Sequence, residues 1–213
     1  MDIMEIMEQR HSVRQYTEQK IEIEKRNILN DLAAEMNKES GLHMQIFYDE
    51  PECFDSPMAH YGNFKNVSNY IAIVGNKKDE EKAGYYGEQL ILKCQELGIN
   101  SCWVALTHGK TKAQLAKGEK LLIVISIGYG VNQGVPHKSK SVEELSKADD
   151  KPDWFLRGMK AVCLAPTAMN QQKFFFELNK GVVTAKALRG FYAKIDLGIV
   201  KYHFEAASGH GVQ

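Results

Sequence analysis

The stretch from residue 121 to residue 127, LLIVISI, is the most continuous apolar run in the sequence and limits the fold more than any other feature. Polar and apolar side chains do not alternate in it, so a strand formed from this run would be buried on both faces. Residues 70–74, YIAIV, form a second, shorter run of this kind. The chain therefore needs layers on both sides of an interior sheet.

Apolar residues at helical spacing predict the covering helices. A long helix is expected over residues 80–97, and Gly98 suits a left-handed cap after it. A helix that starts at Pro152-Asp153 should stop at Pro166. Other helices are predicted at residues 3–10, 24–37 and 193–207, strands at 43–48, 173–178 and 180–186, and loops at 49–66 and 128–153.

The order helix, strand, strand, helix occurs twice, over residues 24–97 and 154–207. It predicts an α+β fold with a central mixed or antiparallel sheet, flanked by helices around a long buried helix. An internal pseudo-twofold duplication would explain the repeat, with half-units at residues 1–110 and 150–208. Coincidence is an equal alternative, because this order of elements is common in α+β domains. We expect one domain over residues 1–213.

Composition narrows the classes of function. The chain has 213 residues, 27 basic and 27 acidic side chains and no net charge, so no electrostatic partnership with nucleic acid or an anionic membrane is expected. No apolar stretch approaches the roughly 18 residues of a membrane span. Four cysteines without a C-x-x-C pair predict buried, reduced thiols and no metal site. A cytoplasmic protein is expected.

Arg10, Ser12 and Arg14 alternate in a polar segment after the first helix. In an extended chain, alternate side chains lie on one side of the backbone. Two guanidinium groups with a hydroxyl between them suit a dianionic phosphate group, which favours charge-assisted, forked donors. A solvated surface segment is the alternative.

Three further segments could serve a site. Lys138 and Lys140 form a second alternating cationic pair, although a flexible lysine-rich loop is the alternative. Residues 164–172, LAPTAMNQQ, join a helix to a strand with small and amide side chains that could lie against a flat polar ring; an ordinary polar turn is the alternative. Trp103 is more typical of a core than of a cofactor contact. The glycines of residues 128–134 lack the spacing of a dinucleotide motif.

Together, residues 10–16 (RHSVRQY), 97–104 (LGINSCWV), 127–129 (IGY) and 165–172 (APTAMNQQ) resemble the FMN-dependent nitroreductase and flavin reductase family. The resemblance spans most of the chain. It implies a non-covalently bound FMN whose reactive N5 edge lies beside residues 103–106. The residues that it assigns to the phosphate are Arg10, Ser12, Arg14, Lys138 and Lys140, while His11 contributes backbone or ring contacts. It assigns Trp103, Val104 and Ala105 to the flavin ring, and Pro166, Thr167, Ala168 and Asn170 to the covering loop. Arg10, His11 and Asn170 are also candidates for stabilising a reduced flavin.

Two departures from the family pattern are informative. The covering loop usually lies in the first third of the chain and reaches the flavin of a partner subunit, but here it lies at residues 165–172, with Thr167 in place of serine. This resembles a less typical nitroreductase branch with two fused half-like units, which implies either a monomeric pseudo-dimer or a homodimer. Ala105-Leu106 stands where an acidic residue and a glycine are common.

The resemblance implies an NAD(P)H oxidoreductase that reduces a nitroaromatic, a quinone or a similar small acceptor by a ping-pong, two-electron mechanism. Chemistry would occur at the flavin N5, so no side chain is expected to act as a nucleophile or metal ligand. A non-catalytic FMN storage or sensor protein is one alternative. An enzyme that uses FMN as a substrate, or that acts on a halogenated or unsaturated compound, is another.

Overall fold

A computed structural model describes all residues from 1 to 213. Its helices are α1 (Ile3–Gln9), α2 (Ile23–Ser40), α3 (Pro57–Tyr61), α4 (Glu80–Glu96), α5 (Val142–Leu145), α6 (Asp153–Val162) and α7 (Ala193–Ser208). Its strands are β1 (His43–Phe47), β2 (Tyr70–Gly75), β3 (Asn100–Val104), β4 (Lys120–Gly128), β5 (Ser146–Ala148), β6 (Phe174–Asn179) and β7 (Val182–Ala187). Short 3-10 turns occupy Lys77–Asp79 and Ala168–Asn170.

The first sheet is fully antiparallel and has the strand order β1-β2-β4-β3. Its two central strands are formed by the two apolar runs. Every residue of β2 is buried, as is β4 from Leu122 to Gly128. The prediction of two interior strands is confirmed, because neither run leaves a polar face toward solvent.

The second sheet has three strands in the order β5-β6-β7, with β5 parallel to β6 and β6 antiparallel to β7. The α+β class is therefore confirmed, but the strands form two sheets and not one central sheet. Three predictions of local structure were wrong. Both predicted loops contain regular elements, α3 in residues 49–66 and α5 with β5 in residues 128–153, and the helix α6 ends at Val162, before Pro166. The elements α3, α5 and β5 span five residues or fewer, too few to show a periodic pattern.

Helices α4 and α7 cross in backbone contact. A Cβ atom added to Gly84 of α4 would lie 2.0 Å from the Ile195 carbonyl oxygen, and one added to Gly198 of α7 would lie 1.9 Å from the Glu81 carbonyl oxygen. Only glycine permits such an approach. The prediction of a long helix that ends before a left-handed Gly98 is confirmed, since α4 is followed by Gly98 at φ 75°.

The proposed duplication stays a prediction. The order α2-β1-β2-α4 is matched by α6-β6-β7-α7, but the two strand pairs belong to sheets of different size. The largest hydrophobic cluster runs from Ile21 to Phe204 and includes residues from both sheets and from α2, α4, α6 and α7. None of the helices combines the length and the hydropathy that a membrane span requires.

Candidate functional site

The segment of residues 10–14 lies beside β3. The Val13 amide donates to the Ser101 carbonyl oxygen over 3.0 Å, and the Arg14 carbonyl oxygen accepts from the Lys65 amide over 3.0 Å. Val13 is buried in the core, whereas Arg10, Ser12 and Arg14 all line one cavity. Side chains therefore alternate from Ser12 to Arg14, as expected of an extended segment, whereas His11 lines the cavity together with its neighbours Arg10 and Ser12.

That cavity, called here the anion cavity, has a volume of about 300 Å³. Arg10 is only 2% exposed, and its Nε and Nη1 atoms have no hydrogen-bond partner. A buried cation with unused donors is costly unless an anion completes it. The lining residues are Arg10, His11, Ser12, Arg14, Val135, Pro136, His137, Pro166, Thr167, Met169 and Asn170.

A second cavity lies next to the anion cavity and has a volume of about 330 Å³. This second cavity, called here the ring cleft, shares Ser12, Arg14, Pro166, Thr167 and Met169 with the anion cavity. The two are therefore adjoining parts of one site. The ring cleft is otherwise lined by Trp103, Ala105, Leu106, Thr107, Ile123, Ala168, Phe191, Tyr192, Ile195, Asp196 and Ile199.

Two histidines, His11 and His137, line the anion cavity. Burial lowers the pKa of His11, and the positive charge of Arg10 lowers it further. Burial and then Arg10 also lower the pKa of His137, whose Nε2 lies 3.1 Å from the Cys163 carbonyl oxygen. Both imidazoles are therefore neutral at pH 7, and the positive charge of the cavity comes from the arginines.

Strand β3 supplies one wall of the ring cleft. Trp103 and Ala105 line the cleft, whereas the Val104 side chain points to the opposite face and is buried in a second hydrophobic cluster. Only the Val104 backbone can therefore face the cleft, because successive side chains of a strand alternate, and its place at the cofactor stays a prediction. Cys102 is buried on the Val104 side, and burial raises the pKa of its thiol, which disfavours a nucleophilic thiolate.

The loop of residues 166–172 forms part of the wall of both cavities. The Thr167 hydroxyl accepts from the Gln172 amide over 3.1 Å, and Asn170 Nδ2 donates to the Lys138 carbonyl oxygen over 2.8 Å. Pro166, Thr167 and Met169 line both cavities. Ala168 lines the ring cleft and Asn170 the anion cavity, so all four predicted loop residues reach the site.

Lys138 and Lys140 do not line either cavity. The Lys140 amide donates to Gln172 Oε1 over 2.8 Å, and Lys140 Nζ lies 3.4 Å from the Gln172 carbonyl oxygen. The Lys138 carbonyl oxygen accepts from Asn170 and from Gln172. This segment contacts the 166–172 loop and places His137 in the wall of the anion cavity, so a role of the two lysines at a phosphate stays a prediction.

Sequence patterns did not reveal Glu88, which joins three parts of the site. It is fully buried on α4, with Oε1 3.6 Å from Arg10 Nε and 2.9 Å from His203 Nε2. Trp103 Nε1 donates to Oε2 over 2.8 Å. Burial alone would raise the pKa of Glu88, but the hydrogen bond from His203 and the charge of Arg10 hold it below the usual value. Glu88 is therefore a carboxylate that orients Arg10 and Trp103.

Asp196, on α7, was missed as well. Its Oδ1 accepts from the Ala168 amide over 2.9 Å and its Oδ2 from Gln171 Nε2 over 2.8 Å, so it holds the 166–172 loop against the ring cleft. Burial raises its pKa to about 6. The available signal was Asp196 within the apolar run from Ile195 to Val200, since buried polar residues are seldom without a role.

Residues 2–208 match the model of a protein family described as "Putative TM nitroreductase". The chain belongs to this family. No curated protein sequence matches it. The resemblance seen in the sequence is thus confirmed for the family.

Solved structures agree with membership of the TM nitroreductase family. A "putative nitroreductase" from Thermotoga maritima is 21% identical, with a TM-score of 0.71 over 97% of this chain and 83% of that one. A "putative nitroreductase in complex with FMN" from Desulfovibrio desulfuricans is 14% identical, with a TM-score of 0.51 over 70% and 96%. A "Putative NADH dehydrogenase/NAD(P)H nitroreductase" from Bacteroides thetaiotaomicron is 17% identical, with a TM-score of 0.52 over 67% and 95%. At these identities, the similarity establishes the fold.

Proposed function

We propose that this protein is an FMN-dependent NAD(P)H oxidoreductase that reduces a small acceptor, such as a nitroaromatic or a quinone, in a ping-pong, two-electron reaction. The proposal rests mainly on one observation. Arg10 lies buried at the charged end of a site whose other end is mainly apolar, and its Nε and Nη1 atoms form no hydrogen bond, although Glu88 Oε1 lies 3.6 Å from Nε. A phosphate joined to a flat ring system fits these two ends.

The residues present fit FMN. Arg10, Ser12 and Arg14 would hold its phosphate, and Asn170 would add an amide at the same end. Trp103, Ala105 and the loop from Pro166 to Met169 would enclose its ring. Bound FMN would supply the redox chemistry, by accepting a hydride from the nicotinamide and returning the electron pair to the acceptor.

The chain's own part is binding, orientation and exclusion of water. Glu88 fixes Arg10 and the Trp103 indole through the contacts described above. Asp196 keeps the 166–172 loop over the ring cleft. Such positioning keeps reacting groups in line and limits side reactions with solvent.

The mouth of the ring cleft favours an apolar acceptor. Leu106, Met169 and Phe191 line the cleft and are 56%, 82% and 46% exposed. Exposed large apolar side chains grouped around a cavity are typical of a binding site. A planar aromatic acceptor would cover them, whereas a highly charged acceptor would not.

The site is assembled within one chain. The segment 10–14 and β3 come from the N-terminal part, and the 166–172 loop and α7 come from the C-terminal part. We propose that one chain completes one FMN site, whether the protein is a monomer or a homodimer. This is the arrangement expected if the half-units at residues 1–110 and 150–208 replace two subunits.

The visible spectrum of the purified protein, followed by identification of any chromophore released by heat, tests the cofactor. We expect FMN. Arg14 is exposed and forms no ion pair, so Arg14→Ala should keep the fold while weakening FMN binding by about tenfold, as expected for loss of a charge-assisted contact. Arg14→Lys should recover part of the affinity. Lys38→Ala, an exposed change on α2, is the control. Equal FMN affinity in Arg14→Ala and the control would place the phosphate elsewhere.

A non-catalytic FMN-binding protein is the second candidate, because Ala105-Leu106 stands where the family commonly has an acidic residue and a glycine. Oxidation of a nicotinamide donor distinguishes the enzyme from the non-catalytic protein. Steady NADH or NADPH oxidation with a quinone or nitroaromatic would establish the enzyme. Reduction of the bound flavin by dithionite, without reduction by either nicotinamide, would establish storage or sensing.

A further inference from the structure

A larger groove adjoins the ring cleft and has no role in the function proposed so far. Its volume is about 690 Å³, and Phe191 and Tyr192 form a wall common to both cavities. The groove is lined by Lys77, Glu80, Lys120, Leu121, Leu122, Ala187, Leu188, Arg189, Gly190, Phe191, Tyr192, Ala193 and Lys194. A ligand in the ring cleft could therefore extend past the aromatic pair into this groove.

Four cations border the groove, Lys77, Lys120, Arg189 and Lys194, against the single acid Glu80. All four are exposed, and none forms a salt bridge. Lysines close by in sequence are paired, as Lys82 is with Asp79 and Lys201 is with Glu81. The groove thus keeps an uncompensated positive charge suited to an anion.

Part of the groove lining is apolar. It consists of Leu121, Leu122 and Ala187 together with the exposed side chains of Leu188 and Phe191. The Phe191 and Tyr192 rings meet edge to face, with centroids 4.6 Å apart. Apolar and aromatic surface next to several cations suits a nucleotide, whose base stacks while its phosphates pair with the cations.

We propose that this groove binds the adenosine and phosphate portion of the nicotinamide donor, and that its charge favours NADPH over NADH. The inference rests on the proposed function, in which the nicotinamide occupies the ring cleft. NADPH carries a 2′-phosphate, with a charge of about −1.5 to −2 at pH 7, in addition to the diphosphate that both donors share. Four unpaired cations match this larger charge better than they match the diphosphate alone.

The double variant Arg189→Ala/Lys194→Ala tests the groove in the FMN-loaded protein. We compare kcat/KM for NADPH, for NADH and for reduced 1-benzylnicotinamide, which has no phosphate. The ratio of kcat/KM for NADPH to that for the benzyl donor should fall about tenfold, and the corresponding NADH ratio about threefold, because ion pairs with phosphate are lost. Lys38→Ala/Lys160→Ala removes two exposed charges elsewhere and should leave both ratios as they are.

Calorimetric titration with adenosine 2′,5′-bisphosphate gives a readout that does not depend on turnover. We expect this compound to bind the wild-type protein, about tenfold more weakly to Arg189→Ala/Lys194→Ala, and more weakly when salt is added. This result would support the proposed binding site in the groove. Equal binding or no binding in both proteins, or unchanged donor ratios, would overturn it. A wild-type protein that holds FMN and oxidises the benzyl donor retains the proposed function even if the groove fails; one that does neither loses both.

Discussion

Glu88 of α4 and Asp196 of α7 are both buried acids in the site, but their electrostatic surroundings differ. Glu88 contacts Arg10 and Trp103, and Asp196 contacts the 166–172 loop. Glu88 faces the Arg10 cation and His203, and its pKa is lowered. Asp196 accepts only from the neutral Ala168 amide and Gln171, and burial raises its pKa to about 6. Burial alone therefore does not decide the charge of a carboxyl group; its partners do.

The difference gives the two residues different roles. Glu88 keeps its charge across the neutral range and serves as a constant anchor for Arg10 and Trp103. Asp196 titrates close to neutral pH, so its hold on the 166–172 loop depends on pH. Four variants test or extend this contrast.

Glu88→Ala should have the largest effect. It leaves the buried Arg10 cation without its counter-charge and removes the acceptor of His203 and Trp103. We expect the free energy of unfolding to fall by about 3–5 kcal/mol, measured by urea denaturation. A fall below about 1 kcal/mol would mean that Glu88 does not compensate a buried charge.

Gly198→Ala tests the close packing of α4 and α7, the two helices that carry Glu88 and Asp196. The added Cβ would meet a backbone carbonyl oxygen at 1.9 Å, and backbone cannot rotate away as a side chain can. We expect a loss of about 3 kcal/mol in the free energy of unfolding, at the upper end for overpacking. Gly211→Ala is the matched control, because nothing lies within 4 Å of a Cβ atom there. Equal stability of the two variants would contradict the close contact.

Asp196→Asn tests the pH-dependent member of the pair. Because the pKa in the folded protein is raised from 3.8 to about 6, the folded state binds a proton more tightly than the unfolded state, so stability rises as pH falls through 6. Between pH 7.5 and pH 5 this gain is about 1.4 kcal/mol in the wild-type protein. Thermal unfolding at both pH values should show that Asp196→Asn lacks the gain, whereas the exposed control Asp31→Asn keeps it. An identical pH profile in Asp196→Asn would show that another group titrates.

Glu96→Gln should have the smallest effect. Glu96 also lies on α4 and pairs with Lys93 at 2.7 Å, but both side chains are partly exposed. Solvent screening limits such pairs, so we expect a loss of about 0.3 kcal/mol by urea denaturation. A loss approaching that of Glu88→Ala would mean that burial does not account for the difference between these two acids.

The sequence predicted features that depend on local patterns. The interior strands at residues 121–127 and 70–74 and the long helix before Gly98 appear where apolar runs and helical spacing indicated them. The alternation of Arg10, Ser12 and Arg14 toward one cavity was also foreseeable, because extended geometry alone dictates it.

Features that depend on distant partners were not predictable in this way. Glu88 and Arg10 are 78 residues apart in the chain, and no local pattern indicates that they meet. Lys138 and Lys140 have the charge and spacing of a phosphate site, yet they contact the 166–172 loop and do not line the anion cavity, which their neighbour His137 does. Sequence periodicity shows which side of an element a residue occupies but not what faces it.

Gly84 and Gly198 allow α4 and α7 to pack with their backbones in direct contact. Helices whose backbones already touch cannot move closer, and sliding would drive the neighbouring turns into carbonyl groups. Moving the two helices apart would give up this close backbone contact, so we expect them to move together. In the proposed reaction, exchange of donor for acceptor would then depend on the exposed Met169 and Phe191 side chains at the ring cleft more than on α4 and α7.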